Sequence, residues 1–300
     1  MLCLIEKDGE RLLDAPMRFN LWRAPTDNDG IVNLFPRHIA EWDSALLWNM
    51  KFHALEDELR REPDCVRYEV SGLLVPSAKN AGFSVRTVWR VFADGSVQTE
   101  ITGTPFGSQM TKTLPRIGVV FPMSSRMEQV RWYGRGFEEN YRDRKFCAPV
   151  GIYAAPVSGL NTRYDVPQEC GNREEIRWLT LEDRLAVVGR ELFSFSYHDF
   201  SLENLTRARH RNELEKAPVN YLYIDYMTRG LGSLSCGPDP EEEHELRPHT
   251  FRFSFVLAPG GQDKAEELYR QTSGNPTAAL SGTFEPPKLF GRRELNECRD

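Results

Sequence analysis

F-S-V-R-T-V-W-R-V-F-A-D-G-S-V-Q-T-E-I, from Phe83 to Ile101, decides the fold class of this 300-residue chain. Phe83, Val85, Thr87, Trp89 and Val91 alternate with Ser84, Arg86, Val88 and Arg90. After Asp94-Gly95, Val97, Thr99 and Ile101 alternate again. A period of two places one set of side chains on each face of a strand, and Asp-Gly between two such runs is a strong hairpin signal. The same period recurs outward in both directions. Val66, Tyr68 and Val70 share one face, as do Phe251, Phe253, Phe255 and Leu257. Further strands are predicted at 117–121, 185–188, 192–197 and 221–226. Polar residues at every second position imply sheets with one buried face, hence antiparallel layers.

Helical signal is confined to two places. In 37–48, Ile39, Trp42 and Leu46 stand three and four apart, and 263–271 allows about two turns with Asp263 as the cap. No linker or fixed repeat divides the chain. The prediction is one large all-β antiparallel domain, a sandwich or a barrel, with one or two short helices. The tail, 271–300, is rich in Pro, Gly and charge and is expected to be irregular.

Composition bounds the function. Hydrophobic residues make up 40% and charged residues 27%, which is ordinary for a globular chain. A net charge of -6 disfavours a nucleic-acid partner, whose footprint is basic. No apolar run reaches the roughly 18 residues of a membrane helix, so no membrane partner is expected. The six cysteines are scattered without zinc spacing and read as free thiols, with the cytoplasm as the expected compartment.

Two stretches are dense in polar residues, and the longer, 131–144, is too polar for a core strand and too aromatic for a solvated loop. R-W-Y-G-R-G-F-E-E-N-Y-R-D-R, 131–144, reads as a folded polar corner or as an ordinary strand end with a surface loop. W-R-A-P-T-D-N-D-G, 22–30, places Arg23 near Asp27, Asn28 and Asp29; it is open between a self-bonded turn and a ligand-facing loop. G-L-G-S-L-S-C-G-P, 230–238, is a glycine-rich loop with no basic residue, so a poor phosphate site.

These three stretches, with Y-D-V-P-Q-E-C-G at 164–171, occur in an order that resembles the C-terminal domain of bacterial β-galactosidases of glycoside hydrolase family 2, also called the small chain. The resemblance spans about residues 10–260. It implies a large antiparallel β supersandwich, similar to galactose mutarotases, over 1–270, with a preceding strand in the family that would leave a sheet edge open here. It implies a β-galactosidase acting on terminal β-D-galactosides such as lactose. A retaining glycosidase needs two carboxyl groups about 5–5.5 Å apart. In this family a separate TIM-barrel part supplies both, together with its Mg, so no catalytic residue is expected in this chain. The isolated chain should be inactive.

The remaining expectations follow from the same resemblance. Asp29, Gly30 and Cys236 would lie in pocket-rim loops that meet a galactoside, with Cys236 where some members carry a stacking Trp. Arg23, Asp27, Asn28, Arg135, Glu139, Asn140, Tyr141, Asp143 and Arg144 would form the structural motif, the carboxylates pairing with Arg135, Arg142 and Arg144. Backbone oxygens near Val166, Pro167, Glu203 and Thr206 match a structural Na site. The catalytic barrel is the expected partner, with a homo-oligomer possible. The rival readings are a sugar-binding module and an autonomous aldose 1-epimerase using His198 with Glu174 or Glu175.

Overall fold

The computed structural model describes residues 2, 5–7, 9–30, 37–77, 79–232 and 239–273. The expected tail lies outside the described residues beyond Ser273, and so does Cys236.

Alternation produces a large antiparallel sheet. Its hairpin is the predicted one: β6 (Gly82–Phe92) pairs with β7 (Val97–Phe106), with Trp89 opposite Thr99 and Thr87 opposite Ile101. Gly95 takes a positive φ of 80° in the turn, and Asp94 accepts from the Ser96 N–H and hydroxyl. The N-terminal elements are β1 (Glu6–Lys7), β2 (Glu10–Arg11) and β3 (Arg18–Asn20). They are followed by β4 (Met50–Arg61) and β5 (Cys65–Pro76). Beyond the hairpin come β8 (Arg116–Ser124), β9 (Gln129–Arg135), β10 (Val150–Pro156) and β11 (Arg173–Leu181). The last are β12 (Leu185–His198), β13 (Val219–Thr228) and β14 (Phe251–Pro259).

One path runs β10-β9-β11-β12-β14-β7-β6-β5-β4, and a branch runs from β12 through β13 and β8 to β3. The fork sits within β12. Leu185–Gly189 pair with β14, while Ser194–His198 pair with β13. The stretches 185–188 and 192–197, expected as two strands, are one strand that belongs to both branches. Strands that switch sheets at a bend make the corners of folded-over sheets. The branch end β3 comes back beside β4, with Phe19 and Phe52 rings 5.4 Å apart, so the sheet nearly closes on itself.

The inner faces hold the main core, where Phe253 and Phe255 meet at 5.3 Å and Phe121 packs edge-on to Phe255. Three short helices attach outside. Helix α1 (Arg37–Ser44) buries Ile39 and Trp42 but stops short of 48, because Leu46 turns to a φ of 54°. Helix α2 (Leu202–Arg207) was not expected; Ser201 caps it by accepting from the Asn204 N–H. Helix α3 (Gln262–Ser273) begins one residue before Asp263 and packs Ala265 onto Trp178, Ala186 and Val188. The expected boundary at residue 270 falls inside it. The large antiparallel all-β fold read from the sequence is the one observed.

Candidate functional site

The signature motifs follow directly on β3, β9 and β13 and lead into β11. Asp29 is the centre of the first cluster. Arg23 grips it with two of its three nitrogens, Nη2 at 2.5 Å and Nε at 3.0 Å. The Thr26 N–H adds a third donor at 3.0 Å and Arg229 Nη1 stands 3.3 Å away. Arg23, Asp29 and Arg229 are each at most 1% exposed. Arg229 also holds Glu245 through two bonds of 2.6 and 2.9 Å. Both guanidinium groups lie over the Trp42 ring, at 5.5 and 6.0 Å. Burying so many charges is tolerable only because each is paired and hydrogen-bonded.

This cluster holds a loop stem. Arg23 Nη1 donates to the Arg229 carbonyl at 2.7 Å, and Asn28 Nδ2 donates to the Leu231 carbonyl at 2.8 Å. The 133–144 motif grips the same stem from the other side. Asp143 accepts from the Gly232 N–H at 2.7 Å, and Arg144 donates to the Gly232 carbonyl at 3.2 Å. Gly230 is required there, since a Cβ would stand 2.8 Å from Asp143 Oδ2. Two motifs more than a hundred residues apart thus converge on 229–232, where the glycine-rich loop begins.

The rest of the 133–144 motif locks onto 164–174. The Glu139 carboxylate accepts from the Tyr164 hydroxyl and, at 2.7 Å, from the Gly171 N–H. Asn140 accepts from the Glu174 N–H at 2.8 Å, and Asn172 returns a bond to the Asn140 carbonyl at 2.8 Å. Tyr141 is buried and bridges to Arg144. Arg135 pairs with Glu175 at 2.9 Å and donates to the Lys145 and Ala148 carbonyls. The expectation that the motif's carboxylates pair with its own arginines is therefore corrected. Arg142 and Arg144 hold backbone carbonyls, Arg135 holds two carbonyls and Glu175 outside the motif, and the Glu139 and Asp143 carboxylates take backbone N–H groups and a tyrosine.

A third cluster was missed from the sequence. Arg116 Nη2 lies 2.5 Å from Glu169 Oε1, and Nη1 lies 3.5 Å from Asp225. All three are at most 2% exposed. Neither Asp225 oxygen has a hydrogen-bonding partner among the described residues. Burial pushes its carboxyl up to about 7 against the pull of Arg116. Burial likewise raises the Glu169 and Glu174 carboxyls. The available signal was a lone charge inside an apolar strand: Arg116 before I-G-V-V-F and Asp225 in L-Y-I-D-Y.

The other nominated residues are placed as follows. Asp27 is exposed and Gly30 is buried with a φ of 133°. Asp29 is fully buried, so this rim candidate lies behind the surface. The residues that follow Gly30, 31–36, lie outside the described residues. Val166 is exposed; Pro167 lines a pocket of about 220 Å³ together with Leu205, while Val166, Glu203 and Thr206 do not line it. The Thr206 hydroxyl is already spent on the Leu202 carbonyl and the Trp22 N–H, and Glu203 is exposed on α2. The proposed epimerase pair is not assembled. His198 is buried against Asn161 at 2.5 Å, and burial, with Arg116 and Arg173, pushes its pKa down to about 3. Glu174 is bonded to Asn172 and Thr228, and Glu175 to Lys145 and Arg135. A cleft of about 780 Å³ opens elsewhere, between β3, the start of β4 and α2, walled by Trp48, Phe52 and Phe19.

Residues 1–257 match the family described as β-galactosidase small chain. The chain belongs to that family. β-Galactosidase from Actinobacillus pleuropneumoniae is 31% identical over 258 residues, 84% of this chain and 24% of the relative. That from Photobacterium profundum is 32% identical over 266 residues, 84% of this chain and 25% of the relative. The chain thus spans about a quarter of the length of the curated relatives it matches. A solved putative aldose 1-epimerase from Escherichia coli aligns at 13% identity and a TM-score of 0.37, over 85% of this chain and 90% of its own. At that score it adds nothing to the sheet itself. In this chain the clusters above link the loops that follow β3, β9 and β13.

Proposed function

We propose that this chain is the small-chain module of a β-galactosidase acting on terminal β-D-galactosides such as lactose. Its role is to hold the rim loops and the assembly, while a separate catalytic part supplies the paired carboxylates and the Mg. The observation that carries this reading is the double grip on 229–232. Arg23 and Asn28 hold it from one motif, Asp143 and Arg144 from another. A stem held from both sides is what a pocket-rim loop needs at its base.

The carboxylates in these motifs suit that role. Those of Asp29, Glu139, Asp143 and Glu175 are engaged by arginines, lysine, tyrosine or backbone N–H groups. A retaining pair instead needs one carboxylate open to attack and one held as an acid, facing a common pocket. The purified chain is therefore expected not to hydrolyse a chromogenic β-galactoside, and to raise activity when mixed with the catalytic part. Hydrolysis by the chain alone, surviving an active-site titration that excludes contaminants, would overturn the proposal. Calorimetric titration with galactose is expected to show nothing tighter than about millimolar, since half the pocket is absent.

A further inference from the structure

From the free edge of β4 we infer that two copies of this chain pair their β4 strands antiparallel about a two-fold axis at Leu59. β4 is twelve residues long and ends the main path of the sheet, bonded among the described strands only to β5. An unpaired strand edge is a template for another strand, and proteins normally blunt it. Here the register with β5 shifts between Ala54 and Glu56, which confines the straight free edge to 56–61. Every residue of that stretch is exposed, Leu59 by 69%.

The order of charges on this edge is self-complementary in one register. In an antiparallel pair, neighbouring residue pairs alternate between hydrogen-bonded and non-bonded types. A two-fold axis must therefore pass where a residue faces its own copy. In E-D-E-L-R-R, centring on Glu56, Asp57, Glu58, Arg60 or Arg61 sets like charges face to face. Leu59 is the single uncharged residue. Centred there, Glu58 faces Arg60 of the second copy and Asp57 faces Arg61, each twice by symmetry. Opposite charges directly across a strand pair stabilise it, and like charges destabilise it.

The residues behind the edge suit the same register. Leu59 opposes Tyr68 on β5, and Tyr68 opposes Trp89 on β6, where the two rings stack at 5.7 Å. Leu59 against its copy would join two such apolar rows across the axis. The next pair outward would set Glu56 against Glu62, but Glu62 lies beyond the strand, turned 3.7 Å from both Arg67 and Arg90. At the other end of the sheet, the edge of β10 is V-G-I-Y-A-A-P and carries no charge to select a partner.

The test is sedimentation velocity on the full chain, from about 1 to about 200 µM, the range suited to so small an interface. Wild type is expected to dimerise, less so at high salt. D57R/E58R and R60E/R61E should each be monomeric, with self-association at least ten-fold weaker. Mixed in equal amounts they should form a heterodimer, because every facing pair is then opposite in charge. All four substituted positions are exposed, so unchanged melting curves check that folding is intact. A monomeric wild type at the highest concentration overturns the inference. So does a dimer that survives both variants, or two monomeric variants that fail to associate when mixed.

Discussion

Asp225 offers a sharp test of how the buried charges are balanced. Its side chain is fully buried, 3.5 Å from Arg116, with neither oxygen hydrogen-bonded to a described residue. Burial pushes the carboxyl from 3.8 up to about 7, more than Arg116 pulls it down. The sign follows from linkage. Between these two values the folded state holds a proton that the unfolded state has lost, so stability falls as pH rises. Asp225 thus imposes no cost below about pH 4 and its full cost above about pH 7. Between pH 5 and 8 the loss is about 2.6 kcal/mol, a large part of a typical folding free energy. Asp225→Asn keeps the shape and cannot ionise. Urea unfolding of both proteins at pH 5, 6, 7 and 8 should show the variant gaining on wild type by that amount, which isolates Asp225 from Glu169 and Glu174. If the two curves stay parallel within about 0.5 kcal/mol, the carboxylate is ionised throughout and the Arg116 pair outweighs its burial.

Three further outcomes are expected. Gly118→Ala would put a Cβ 2.0 Å from Asp225 Oδ1 and 2.7 Å from the Ile224 carbonyl. It should cost about 1–3 kcal/mol in urea unfolding, with part of the loss recovered in Gly118→Ala/Asp225→Ala. Arg229→Met strips Glu245 and Asp29 of a buried partner. It should cost about 3–5 kcal/mol and speed proteolytic cutting between 229 and 245, which limited digestion would show. Glu139→Gln weakens the bonds to Tyr164 and the Gly171 N–H. A melting-point loss equivalent to about 1–3 kcal/mol is expected, with poorer complementation by the catalytic part. A Glu139→Gln chain that is fully stable and assembles, yet gives an inactive complex, would contradict a structural role.

Half-buried strands were legible because their pattern is written in the chain. Phe83–Val91 and Phe251–Leu257 alternate since one face meets the core and the other does not. β4 was missed for the opposite reason: from Ala54 to Arg61 both faces are exposed, so no alternation is imposed. β11 was missed because α3 covers its second face, leaving most of its residues buried. The fork in β12 also hides its continuity, since Arg190 and Leu192 are exposed where the branches part. The motifs at 22–30 and 133–144 stood out as strings, but their partners did not.

The sequence by itself therefore determined what is local: the antiparallel strands, the Asp-Gly hairpin and the four motifs that carry the family resemblance. The tertiary structure decided who pairs with whom. Asp29 meets Arg229 across two hundred positions, and Arg116 meets Glu169 and Asp225 from three separate segments. Side-chain alternation follows from the geometry of each strand, so it repeats every second residue. An ion pair follows from where loops converge after folding, and nothing in the order of residues marks its two ends as neighbours.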